Sequence, residues 1–268
     1  MKNSLKYLKN IIKVLVWPFI FILGQFFIQY IFVAIFNKKE RIGYSESEFL
    51  NYINTTQYQD KLNNYINSKT LIIILITMII FIPLFYNVYK KYKKENIFKL
   101  NDAFIPILLG ITISLIYNIT LYNLNNIINF TNIFEPSPLP IVVQIISSGI
   151  CGPILEELIF RGIVYNKLKT FNKNMTAIML TSIIFGFIHG NVINAIYTFG
   201  VSFILIYLYE KYKTLKAPIL MHIFLNTTII LISPLIIKNF VVFNTYLLVI
   251  SILVLLIINF KFNEKMNK

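Results

Sequence analysis

The chain reads as an all-α, polytopic integral membrane protein, a bundle of about eight transmembrane helices around a polar cavity in the bilayer. Three observations predict this. Of its 268 residues, 57% are hydrophobic and 13% charged, whereas soluble domains carry about 25% charged residues. Apolar runs of 18 or more residues recur, each long enough to cross a hydrocarbon core. Basic residues gather in every second connection, which is how membrane proteins encode orientation.

Apolar segments fall at about 11–36, 70–89, 103–124, 139–166, 175–190, 194–209, 217–236 and 239–260. The first follows a lysine-rich start, as a signal peptide would. It is too long for a signal core and no small-residue cleavage site follows it, so it is expected to remain as a helix. Lysines precede this segment and follow the second, fourth, sixth and eighth, eighteen in all. The alternate connections hold six basic residues: Lys38, Lys39, Arg41, Lys61, Lys69 and Lys238. With eight crossings, the asymmetry places both termini in the cytoplasm of a multi-pass cell-membrane protein.

The connection 37–69 is the one long loop expected outside. It is polar, with Phe49, Ile53, Leu62 and Ile66 at loosely helical intervals. It reads equally as an interfacial segment or a solvated connector. Pro-Ser-Pro-Leu-Pro at 136–140 predicts a stiff turn before the fourth span. Ser147-Ser148-Gly149 and Gly152-Pro153 interrupt that span and predict a kink or a short unwound stretch. Small residues there also permit close helix approach. Neither serine is expected to act chemically. Cys151 is the one cysteine, which excludes an internal disulfide and a cysteine-rich metal site. The net charge of +14 lies in short runs between spans, so the expected partner is the lipid bilayer and no nucleic acid.

Chemistry concentrates in Pro153–Gly162, where Glu156, Glu157 and Arg161 sit inside apolar sequence. Ionisable groups in such a setting are costly and mark sites. Glu157 and Arg161 are one helical turn apart with the acid first, the favourable order for a pair. Glu156 points roughly 100° away around the helix, which leaves it free for chemistry. The chain's two histidines, His189 and His222, also lie in apolar segments, and His222 shares a helix face with Asn226.

A carboxylate enclosed by apolar groups holds a proton more readily and can serve as a base near neutrality. Glu156 and His189 could therefore hold and deprotonate a water molecule. His222 and the Asn226 amide could donate to the oxygen on which charge develops when a peptide carbonyl is attacked. Two histidines and a glutamate are also a catalytic zinc set, so a divalent metal on Glu156, His189 and His222 stays open. No other cofactor is indicated. There is no His-Glu-x-x-His element, no Gly-x-Gly-Asp element and no serine in a nucleophile motif.

Glu156-Glu157-x-x-x-Arg161, Phe185-x-x-x-His189 and His222-x-x-x-Asn226, in that order on successive spans, resemble the CPBP family. This is the group of CAAX prenyl endopeptidases and bacteriocin-processing enzymes also called Abi. The resemblance covers about 139–230 and implies an eight-helix membrane endopeptidase. It implies that Glu156 and His189 activate water, that His222 and Asn226 form the oxyanion site, and that Glu157 and Arg161 hold the helix. It divides the chain into a variable membrane region (1–138), a catalytic core (139–236) and a final helix with a cytoplasmic tail (237–268). The expected substrate is a membrane-associated peptide or protein. The rival expectation is a non-catalytic bacteriocin-immunity or membrane scaffold protein with the same polar cluster. On straight helices His222 would lie about five residues, and His189 about fifteen, from the cytoplasmic ends of their spans. Tilt, or unwinding near Gly186 and Gly190, is needed to bring them together.

Overall fold

A computed structural model describes residues 2–128, 137–236 and 251. Every regular element among them is helical, without a strand. We number the helices α1 (Lys2–Glu40), α2 (Glu46–Tyr52), α3 (Thr56–Tyr89), α4 (Phe104–Ile128), α5 (Ile141–Lys169), α6 (Asn174–Phe187), α7 (Val192–Tyr212) and α8 (Lys216–Ile236). Six of them, all but α2 and α6, are long and apolar enough to cross a membrane. The protein is a polytopic helical membrane protein. The expected span at 239–260, Ser251 apart, lies outside the described residues, as does Pro136 of the proline-rich turn; 137–140 form the expected bend before α5, where the Leu139 N–H donates to Ser137 Oγ at 3.3 Å.

The chain divides into two compact units, Met1–Leu84 and Phe85–Lys268. In the first, α1 and α3 pair antiparallel. Phe21 meets Phe81 edge to face at 5.4 Å, Phe36 meets Tyr65 at 5.1 Å, and Glu40 pairs with Lys61 at 3.2 Å. Each step along α1 is matched by an equal step back along α3. Helices of 39 and 34 residues are about 58 and 51 Å long at 1.5 Å per residue, well beyond a hydrocarbon core of about 30 Å. Most of the expected connector 37–69 is thus helix rather than loop. The reason is tertiary: Phe36, Tyr58 and Tyr65 pack together and carry α3 through polar sequence of modest propensity. At the tip, Ser45 caps α2 in a reciprocal box with Glu48.

The second unit holds the motif-bearing helices. Its core joins Leu109 and Ile113 of α4, Val201, Leu205 and Leu208 of α7, and Met221 and Leu225 of α8. Two glycines set the spacing around the site. A Cβ on Gly149 would lie 2.9 Å from Thr227 Oγ1, and one on Gly186 would lie 2.7 Å from the Ala195 carbonyl. Their absent side chains let α5 approach α8, and α6 approach α7. The 14-residue α6 spans about 21 Å, too short to cross the bilayer upright. His189 therefore sits in the turn beyond its end, not deep within a span, and this turn carries Gly190 at φ +87°.

Candidate active site

Helix α5 is interrupted, as its small residues predict, but by a change of register rather than by unwinding. Ile145–Cys151 and Phe160–Tyr165 are π-helical and flank the α-helical turn that carries both glutamates. Such insertions recur at functional sites. The first has a direct consequence. The Gly152 N–H reaches back five residues to the Ser147 carbonyl. In that register the Ser148 carbonyl would be served by residue 153, which is proline and has no N–H. The freed oxygen accepts a hydrogen bond from Asn226 Nδ2 at 3.0 Å. Ser148 thus positions Asn226 through its backbone, while the Ser147 hydroxyl bonds back to the Val143 carbonyl. In the second π segment Asn166 Nδ2 donates to the Arg161 and Gly162 carbonyls.

Glu157 and Arg161 pair as their spacing predicts, at 2.8 Å, and both side chains are fully buried. Arg161 also donates from Nη2 to Ser202 Oγ at 3.0 Å. Its guanidinium lies 4.4 Å from the centre of the Phe185 ring, a cation–π contact strengthened by exclusion of water. Glu157 does more than hold the helix. Its Oε1, which takes the Arg161 bond, also accepts from His222 Nδ1 at 2.9 Å. Arg161, Glu157 and His222 form one buried chain.

The two imidazoles are oriented from behind. The Phe185 carbonyl is one of the last of α6, where helical partners run out, and it takes the Nδ1–H of His189 at 2.5 Å. A carbonyl and an ionised carboxylate only accept, so Nδ1 carries the proton in both rings. Each Nε2 of a neutral ring then presents a lone pair. Both Nε2 atoms face the same oxygen, Glu156 Oε2, each at 3.8 Å. That oxygen is buried and has no hydrogen-bond partner in the protein, although Glu156 and His189 are each about a quarter exposed. The Phe185 ring backs the cluster, 4.5 Å from the His189 ring and 6.1 Å from the His222 ring.

The sequence-predicted residues Glu156, Glu157, Arg161, His189, His222 and Asn226 therefore converge. Spacing did not reveal Phe185 as the common support, Ser202 as the second Arg161 partner, or the Ser148 carbonyl. The set of Glu156, His189 and His222 suits zinc in chemical type, with second-sphere bonds on both Nδ1 atoms. As placed, with each Nε2 3.8 Å from Glu156 Oε2, the three are not gathered into a metal-binding group, and no group of three His, Cys, Asp or Glu among the described residues is.

Residues 138–228 match the family described as type II CAAX prenyl endopeptidase Rce1-like. This matched stretch, well under half of the chain, is similar to the CPBP family. Over 109 residues it is 30% identical to a Bacillus subtilis (strain 168) protein named "Putative membrane peptidase YdiL". That similarity covers 41% of this chain and 43% of the relative, less than half of either. No solved structure matches the chain. The matched region contains every residue of the cluster just described.

Proposed function

We propose that this protein is an intramembrane endopeptidase of the CPBP type that hydrolyses a peptide bond of a membrane-associated peptide or protein with directly activated water. One observation carries the reading: two imidazole lone pairs, fixed from behind, face one unpartnered carboxylate oxygen. A water about 2.8 Å from both Glu156 Oε2 and His189 Nε2 would bridge their 3.8 Å separation at an angle of roughly 85°, somewhat narrower than its own bond angle. One water proton would point at each group, leaving an oxygen lone pair for attack.

The chemistry balances without a covalent enzyme intermediate. Water oxygen bonds to the carbonyl carbon as its proton passes to Glu156. Collapse of the tetrahedral species breaks the C–N bond, and Glu156 returns the proton to the departing amine. Charge on the carbonyl oxygen would be met by the second Asn226 amide hydrogen, since one is engaged by Ser148. His222 could add a donor only as imidazolium, because its Nδ1–H is committed to Glu157. Glu157 then serves as the counter-charge of that state. Glu157 and Arg161 act as positioning residues. Both termini are assigned to the cytoplasm on the lysine asymmetry.

The test uses purified wild type and Glu156→Gln in lipid nanodiscs with a library of quenched fluorescent peptides carrying an apolar anchor. Cleavage by the wild type and its loss in the variant is expected. Equal cleavage by both would remove Glu156 from the reaction.

A further inference from the structure

We propose that Lys94, Lys169 and Lys213, gathered around Glu210, form a binding site for the headgroup of an anionic phospholipid. The three ammoniums come from three different parts of the second unit: the connection after α3, the end of α5 and the end of α7. Glu210 Oε1 takes Lys94 and Lys169, each at 2.9 Å, and Oε2 takes Lys213 at 3.0 Å. One carboxylate against three ammoniums leaves two positive charges in excess. Each ammonium has three N–H groups and spends one on Glu210, so further donors remain for phosphate oxygens. Lys94 lies over the Tyr209 ring at 5.2 Å and Lys169 over the Tyr165 ring at 5.6 Å, which restricts both long side chains.

Orientation in the membrane requires lysines on one side and nothing more. It does not require that one glutamate collect three of them. Nor does it require a lysine where the backbone resists one. Lys213 ends α7 in the left-handed conformation at φ 57°, alone among the described non-glycine residues. Glycine is the usual occupant of such a cap. What lysine adds there is an ammonium that folds back onto Glu210.

The location selects a lipid over an acidic protein. The cluster lies where apolar helices end, at the ends of α5 and α7, with Lys94 and Lys169 laid over the buried rings of Tyr209 and Tyr165. The Ile97 N–H donates to the Tyr212 carbonyl, and Phe98 packs edge to face on Tyr212, tying the lysine-rich connection to this end. From the same end an exposed apolar stripe runs along α6 through Met175, Met179, Ile183 and Phe187, four residues apart and on one face. Acyl chains have a track there that an acidic peptide would not use. Basic pockets between helix ends are the recurrent sites for anionic headgroups.

The experiment is native mass spectrometry of the full chain released from detergent after exposure to phosphatidylglycerol or phosphatidylcholine with identical acyl chains. Inorganic phosphate and polyglutamate are run in parallel. Wild type should retain phosphatidylglycerol over phosphatidylcholine by roughly tenfold or more, given about 1 kcal/mol per basic residue near the surface. Lys94→Gln/Lys169→Gln/Lys213→Gly should lose that preference, whereas Lys91→Gln/Lys93→Gln/Lys99→Gln, with the same charge removed, should keep it. Equal retention of the two lipids by wild type would overturn the proposal. So would equal loss in both triple variants, or binding of polyglutamate or phosphate alone without a lipid preference. If the first triple variant fails to fold, Lys213→Gly carries the test, because it relieves the backbone. A several-fold loss of the preference is expected, and an unchanged preference overturns the site.

Discussion

Removing Arg161 tests whether the Arg161–Glu157–His222 chain is one unit. Arg161→Leu deletes a guanidinium that is fully buried and leaves Glu157 charged, equally buried and short of a partner. Two unit charges about 4 Å apart interact by roughly 4 kcal/mol at an effective dielectric constant near 20. Breaking buried pairs costs about 3–5 kcal/mol, because one charge is stranded. For a chain of this size each kcal/mol shifts a melting midpoint by about 2–4 °C, so a fall of roughly 6–20 °C is expected. Glu157→Gln/Arg161→Leu removes both charges, and the introduced amide oxygen can still accept from His222 Nδ1. At least half of the lost midpoint should return. The assay is thermal unfolding in one detergent, read by intrinsic fluorescence and by helical circular dichroism. A midpoint for Arg161→Leu within about 2 °C of wild type, less than the smallest shift one kcal/mol would give, would refute the reasoning. So would a double variant no more stable than the single.

Three further outcomes are expected. Pro153→Ala restores an N–H that can compete for the Ser148 carbonyl, so Asn226 loses its anchor. Turnover should fall about tenfold or more with abundance unchanged, whereas Asn226→Ala should cost about 10²–10³ in kcat as lost oxyanion donors do; comparison of initial rates at matched protein checks both. Gly149→Ala places a methyl against Thr227 Oγ1 and should destabilise by about 1–3 kcal/mol, relieved in part by Thr227→Ala, as read by the same melts. Outside the membrane, the Ser45 hydroxyl and then its backbone N–H hold the Glu48 carboxyl below its usual value. Its folded pKa lies below the unfolded one, so the α2 cap is fully present above the unfolded value and lost as pH falls through the lower folded value. Amide protection factors in α2 should drop over that acid window in wild type and show no such dependence in Glu48→Gln.

Much of this site was legible because it depends on local spacing and on the cost of charge in lipid. Glu157 and Arg161 are four apart, and the structure pairs them. Glu156 is turned away, and it faces the two histidines. That His189 and His222 meet at one oxygen was not readable from span depths, which disagreed. The disagreement came from treating α6 as an upright span, whereas it is a short helix that ends before His189. The π segments of α5 were visible only as an irregularity, since no residue pattern names a five-residue register. Once that register is known, Pro153 explains why Ser148 holds Asn226. The segment 37–69 was misleading because its asparagines and lysines read as loop, while the aromatic contacts that keep it helical join residues twenty or more apart.

Activation of water by Glu156 for peptide hydrolysis can be tested directly in cells. The direct measurement compares, by mass spectrometry, the peptides released from cells carrying wild type with those from cells carrying Glu156→Gln at matched expression. Peptides with new termini that appear only with the wild type are the predicted result, and they would also define the cut site. Identical peptide profiles, with any biological effect of the protein preserved in the variant, would contradict the account and leave a membrane protein whose polar cluster binds without reacting.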